Sequence, residues 1–203
     1  NAAGKRALAV ALDVTDEAST IAAFDAAEAA FGVVDTVIAN AGTSAAGRST
    51  EVPASGAQMV ADTNFIGVYL TAREGARRMI GADMRSTGRG RMVLIGSITA
   101  HLTAQGDAAY AASKAAVAHL GRNFAREWVR QGINVNVIQP GYILSELAGD
   151  WFATEGGKAQ IAGFHRRRMQ PAASLDPMML YLCSDASEAM TGAVIDLDDG
   201  QSL

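Results

Sequence analysis

A single cysteine, Cys183, among 203 residues leaves no partner for an internal disulfide, so the core and hydrogen bonds alone must hold the fold. That agrees with a reducing compartment, and the expectation is a cytoplasmic protein in which Cys183 packs on its helix. No apolar run reaches the ~18 residues that a membrane-spanning helix needs. Positive charge is scarce as well: 17 Lys and Arg stand against 21 Asp and Glu, for a net charge of −4. A chain of that balance offers no footprint for nucleic acid or an anionic membrane, and a small-molecule partner is the better expectation. Repeats, low-complexity tracts and linkers are missing, and no metal is expected. What is present, 49% hydrophobic and 19% charged residues, is enough for one domain over residues 1–203 with a sizeable core.

Short apolar runs alternate with long helical periodicity. Residues 7–12 read as a strand, and Thr15 or Asp16 as the N-cap of an alanine-rich helix that continues to about Phe31. A second apolar run, 33–39, ends in Asn40-Ala41-Gly42 and is followed by a polar loop over 43–56. Helical periodicity over 57–84, a loop at 85–90 and a strand at 91–96 come next. A helix over 108–131 stops at Gly132, and a strand over 133–139 stops at Pro140-Gly141. Residues 141–171 read as a long irregular insertion, 175–184 as a helix and 193–197 as a last strand. The fold class is therefore α/β, a doubly wound parallel sheet of Rossmann type in three αβα layers. Ligands of such sheets bind beyond the carboxyl ends of the strands, where Asp13, Asn40 to Gly42, Ser97 and Pro140-Gly141 fall. Residues 1–6 read as the tail of a helix with Gly4 as its C-cap.

Ser97 ends one of those strands, and Tyr110 and Lys114 open the next helix. Residues four apart on a helix share a face about 5–6 Å apart, which brings the Lys114 ammonium within electrostatic reach of the Tyr110 phenol. A free phenol, pKa ~10, is a poor base at neutral pH, and a neighbouring cation favours the phenolate. A serine hydroxyl at the strand end could meet the same substrate oxygen. Alone, Tyr-x-x-x-Lys arises by chance in roughly 6% of sequences with this composition. Asp13-Val14, Asn40-Ala41-Gly42, Asn64, Ser97 and Pro140-Gly141, each at its place, make the set specific.

In that order and spacing the chain resembles the short-chain dehydrogenase/reductase family from Ala7 to Leu203. The resemblance implies an NAD(P)-dependent oxidoreductase that interconverts a secondary alcohol and a ketone, or reduces a related carbonyl. By it, Tyr110 is the general acid/base, Ser97 polarises the substrate oxygen, and Lys114 lowers the tyrosine pKa and holds the cofactor ribose. Asn64 bends its helix and anchors a water-mediated proton relay. Asp13 and Val14 would meet the adenine, and Asn40, Ala41 and Gly42 would let the backbone approach the ribose. Pro140, Gly141 and Ile143 would grip the nicotinamide, and Ser145, in place of the usual threonine, the phosphates. His101, Leu102, Gln105, Leu147 and Trp151, with Phe152, would border the substrate, and a lid would span about 142–171. The basic tract His165 to Arg168 reads as a solvated or subunit-contact face. Asp198-Asp199-Gly200 replaces the usual Asp-Gly-Gly in a surface turn.

The family's glycine-rich turn and its first two strands are not in the sequence given. Residues 7–12 would then be the third strand and 33–39 the fourth, with residues 7–12 displaced or paired directly with 33–39. The choice of NAD or NADP rests on residues after the second strand, outside this chain. A homo-oligomer, dimer or tetramer, is expected, because Val60, Phe65, Val68, Leu120, Phe124 and Trp128 put apolar surface around much of two long helices. The alternative reading is a non-catalytic or truncated member that acts through subunit contacts.

Overall fold

The computed structural model describes residues 7–145 and 150–203. Four parallel strands among them form one sheet: β1 (Thr36–Ala39), β2 (Gly90–Ile95), β3 (Ile133–Pro140) and β4 (Val194–Leu197), in the order β1-β2-β3-β4. The register sets Ile38 beside Val93, Val93 beside Asn136, and Ile138 beside Ile195. Side chains alternate between the two faces of such a sheet, so each strand feeds two cores. Met92, Leu94, Val135 and Val137 pack on one face with Phe24, Val68, Met79, Val117, Phe124 and Trp128. Val93 and Ile138 pack on the other with Leu182, Met178, Met179 and Cys183. Central strands buried on both sides need the near-continuous apolar runs that β2 and β3 carry.

The helices start and stop where local chemistry dictates. Helix α1 (Glu17–Phe31) opens on Asp16, whose carboxylate accepts from the Ala18 N–H at 2.9 Å, and closes at Gly32 with φ 87°. The helical stretch expected over 57–84 is longer at its start and is interrupted. Helix α2 (Ala54–Ala61) passes into a π-helical turn, Asp62–Gly67, and then into α3 (Val68–Gly81), with a short α4 (Met84–Thr87) beyond. Helix α5 (Ala108–Trp128) ends through a 3-10 turn at Gly132, φ 74°, a left-handed conformation that costs glycine nothing. Gly121 lets α5 lie directly on β3, since a Cβ there would stand 2.3 Å from Val137 Cγ2. Glu74, 2% exposed, is held by Arg77 and Arg78, and Arg78 also reaches Glu28 and Asp25 at 2.7 Å, tying α3 to α1.

Three expectations need correction. Residues 7–12 form no strand, although Leu8, Val10 and Leu12 are apolar; all three are exposed. A ladder needs a neighbour within about 4.8 Å; among the described residues no strand pairs with this segment, and Leu12 and Val14 line, with Ile38 to Ala41, a cavity of about 130 Å³. The insertion over 141–171 is not irregular throughout: a 3-10 turn, Trp151–Ala153, leads into α6 (Glu155–Gly163), capped by Thr154. The turn at Asp198-Asp199-Gly200 is more than surface. Asp198 is buried and caps Gly200 and Ser202, while Asp199, at φ 58°, binds Arg166 and Arg168. Helix α7 (Asp176–Leu182) follows a short 3-10 turn at Ala172–Leu175.

Candidate active site

Lys114 is the least ordinary side chain in the chain: its ammonium lies in the interior, with the residue only 3% exposed. Gly121, about two helical turns further along α5, draws that helix onto β3 and carries Lys114 in with it. The ammonium donates to the Ile95 carbonyl at 2.9 Å, where β2 ends, and stands 5.6 Å from the centre of the Tyr110 ring. One of its three hydrogens is thereby used, and among the described residues no other acceptor takes from it. Burial disfavours the charged form and pulls the pKa down to about 8.

Tyr110 is half-buried, and the net direction of its pKa is up. Burial is the largest cause, a hydrogen bond with Ser97 opposes it, and the fields of Asp107 and Tyr142 add to it. The lowering expected from Lys114 is therefore not what sets the direction in the free protein; desolvation of the phenolate does. Ser97, buried after β2, accepts from the Thr99 N–H at 3.2 Å, which leaves its O–H as the donor in the bond with Tyr110.

Asn64 lies in the π-helical turn, and both hydrogens of its side-chain amide are engaged. Its Oδ1 accepts from the Thr43 N–H at 2.8 Å, and its Nδ2 donates to the Thr43 carbonyl at 2.9 Å and to Ser113 Oγ at 3.0 Å. Ser113 Oγ donates in turn to the Tyr110 carbonyl at 2.7 Å. The loop after β1, the π turn and α5 are thus fastened together by one amide. A side chain at Gly42 would lie 3.6 Å from both Asn64 Oδ1 and Lys114 Nζ, so the bare backbone leaves a channel beside them. Val14, Asn40 and Ala41 line the adjoining cavity.

The structure brings Ser97, Tyr110, Lys114, Asn64 and Gly42 together, with Val14, Asn40 and Ala41 next to them. Asp13 is exposed, and its carboxylate accepts from the Thr15 N–H and hydroxyl at 2.9 and 2.8 Å. At the end of β3 the backbone is pinned: Gly141 N–H donates to Gln170 and Tyr142 N–H to Gln201, and Ile143 bridges Gln170. Ser145 is exposed. His101 turns toward Asp196 of β4, 3.5 Å away, and Trp151 donates to Gln160 within its own insertion. Leu102 is partly buried and Gln105 exposed, and Leu147 lies outside the described residues. The basic tract binds the C-terminal turn, His165 to the Leu203 carbonyl and Arg168 to Asp199.

Sequence reasoning missed three residues beside Tyr110. Asp107, three positions earlier, reads as a helix cap but makes no capping bond; its Oδ1 accepts from Ser44 Oγ at 3.2 Å. Tyr142, directly after Pro140-Gly141, packs between Phe152 and Phe164, with ring centres 5.8 and 5.6 Å away. Adjacency to named motifs was the available signal for Asp107 and Tyr142; nothing local marks Ser44.

A family model described as Enoyl-(acyl carrier protein) reductase matches residues 1–202. The cis-4-hydroxycyclohexanecarboxylate dehydrogenase of Sinomonas cyclohexanicum is 32% identical over 203 residues, 98% of this chain and 78% of that protein. The 3-oxoacyl-[acyl-carrier-protein] reductase MabA of Mycobacterium tuberculosis is 30% identical over 99% of this chain and 79% of its own. Among solved structures, the gluconate 5-dehydrogenase of Burkholderia cenocepacia, in complex with NADP and tartrate, superposes with a TM-score of 0.87. It is 28% identical over 94% of this chain and 73% of its own.

Proposed function

From the premise that this chain belongs to the short-chain dehydrogenase/reductase family, we propose that it interconverts a secondary alcohol and a ketone, or reduces a related carbonyl, with NAD or NADP. The observation that carries this reading is the convergence of the Ser97 hydroxyl, the Tyr110 phenol and the buried Lys114 ammonium at the carboxyl end of β2.

The residues present suit a nicotinamide dinucleotide. Lys114 has hydrogens to spare for ribose hydroxyls, bare Gly42 leaves the backbone approachable, and Val14, Asn40 and Ala41 line a cavity for the adenosine end. Asp13 would border the adenine, Pro140, Gly141 and Ile143 would hold the nicotinamide end, and Ser145 would donate to the phosphates. When bound, the cofactor supplies or accepts the hydride. Tyr110 Oη gives its proton to the carbonyl oxygen as the carbon is reduced, and its phenolate takes that proton back in alcohol oxidation. The Ser97 O–H, with its oxygen already occupied by Thr99, donates to the same oxygen and stabilises charge there. Because both Nδ2 hydrogens of Asn64 are committed to Thr43 and Ser113, its part in the relay falls to the widened backbone turn that carries it.

The insertion that carries Trp151, Phe152 and α6 serves as the lid over the substrate, and the protein works in the cytoplasm as a homo-oligomer. Val60, Val68, Phe124 and Trp128, expected at a subunit contact, are consumed by the intrachain core. Met59, Ile66, Tyr69 and Ile80 are the exposed large apolar residues on α2, the π turn and α3 that support the contact. Sedimentation at micromolar concentration should give a dimer or tetramer; a monodisperse monomer contradicts this part. The chemistry is tested by Tyr110→Phe, which should remove turnover while NADH or NADPH binding, read by fluorescence, stays. Acid/base groups are worth about 10²–10⁴-fold, so retention of more than ~1% of kcat refutes the assignment.

A further inference from the structure

An aspartate just before a helix ordinarily spends its carboxylate on the first free N–H groups. Asp107 does not: with φ −146° and ψ 30° it precedes α5 and makes no side-chain capping bond. Its Oδ1 accepts from Ser44 Oγ at 3.2 Å, and no cation pairs with it among the described residues. Asp107 immediately precedes α5, three residues before Tyr110, so its charge lies at the start of the helix that carries the phenol. Its field reaches both Tyr110 and Tyr142, and both phenols are harder to ionise for it. Its own pKa is raised by burial, with the Ser44 bond opposing. The carboxylate therefore lies where three elements converge, the loop after β1, the start of α5 and the loop after β3.

We propose that Asp107 sets the charge class of the substrate: carbonyl compounds bearing a carboxylate near the reacting carbonyl are rejected, and those bearing a neutral hydrogen-bond donor there are accepted. The proposal rests on the oxidoreductase reading only for the word substrate; the selectivity itself is a binding property. A carboxylate on the ligand would meet Asp107 across a half-buried gap. For charges ~6 Å apart at an effective dielectric constant of ~40, that repulsion weakens binding about tenfold. A donor on the ligand would instead find the carboxylate's remaining acceptor capacity, since a carboxylate has about four lone-pair sites and Ser44 uses one.

The test uses an isosteric pair, 4-oxocyclohexanecarboxylate and 4-oxocyclohexanecarboxamide, against the parent protein and Asp107→Asn. Asn keeps an oxygen for the Ser44 hydroxyl and removes the charge. Dissociation constants come from calorimetry in the presence of NAD and of NADP, and kcat/KM from nicotinamide absorbance with NADH and with NADPH. The parent should favour the amide at least tenfold in both readouts, and in Asp107→Asn the ratio should fall to near one. Equal ratios in the two proteins, or failure of either to bind the amide, overturn the proposal. Discrimination in binding without turnover of either compound leaves the charge selectivity standing and defeats the oxidoreductase reading. Turnover with the same ratio in both proteins does the reverse.

Discussion

Replacing Lys114 by Met should stabilise the protein at neutral pH relative to its behaviour in alkali, by an amount the structure sets. The ammonium is 3% exposed and its pKa falls from an ordinary 10.5 to about 8, with burial as the only cause. At ~1.4 kcal/mol per unit, that shift corresponds to about 3 kcal/mol. The group is a cation whose folded pKa is depressed. Below pH 8 both states carry the proton, and the folded state bears the whole cost of burying it. Between about 8 and 10.5 the unfolded chain holds the proton and the folded one does not, so stability rises with pH, then levels off. Lys114→Met has no such step. Urea unfolding of both proteins from pH 7 to 10.5 should show their difference in unfolding free energy shifting by about 3 kcal/mol in favour of the parent. Other titrating groups cancel in the difference, and the Ile95 carbonyl left without its donor adds only a pH-independent offset of about 1–3 kcal/mol against the variant. Parallel curves, within about 0.5 kcal/mol across that range, would refute the argument that the ammonium is held dry. The cost at neutral pH is of the kind that functional sites carry at the expense of stability.

Gly121→Ala puts a methyl 2.3 Å from Val137 Cγ2, so α5 must lift off β3; we expect a loss of about 1–3 kcal/mol and a drop in kcat, partly restored by Val137→Ala. Wild-type stability and rate in Gly121→Ala would contradict the packing argument. Asn64→Ala breaks the bonds to Thr43 and Ser113 and leaves buried groups unpaired, for an expected loss of about 2–4 kcal/mol in urea unfolding. A loss of under about 0.5 kcal/mol would show the clamp to be dispensable. In the free protein, difference absorbance between the parent and Tyr110→Phe should titrate above the ordinary tyrosine value of 10.0, because burial holds the phenol up. Ionisation near neutrality would mean that Lys114 wins after all.

Residues that answer to local rules were legible in the sequence. Asp16 caps α1, Gly132 stops α5, and the apolar runs of β2 and β3 sit where both faces of a sheet are covered. Tyr110 and Lys114 share a face because four residues make about one helical turn, and Ser97 meets them because β2 and α5 are consecutive. Quantities that sum over distant parts of the chain were decided by tertiary structure alone. Residues 7–12 have the composition of a strand, but no strand among the described residues pairs with them. Val60, Phe124 and Trp128 are apolar whether they face a core or a partner, and only the packing of α2 and α5 against the rest of the chain shows that they face the core. The direction of the Tyr110 shift could not follow from Lys114 four residues away, since it depends on desolvation by every element around the phenol, Asp107 and Tyr142 included. Sequence spacing fixes which groups can meet, whereas burial, which depends on the whole fold, decides their charge.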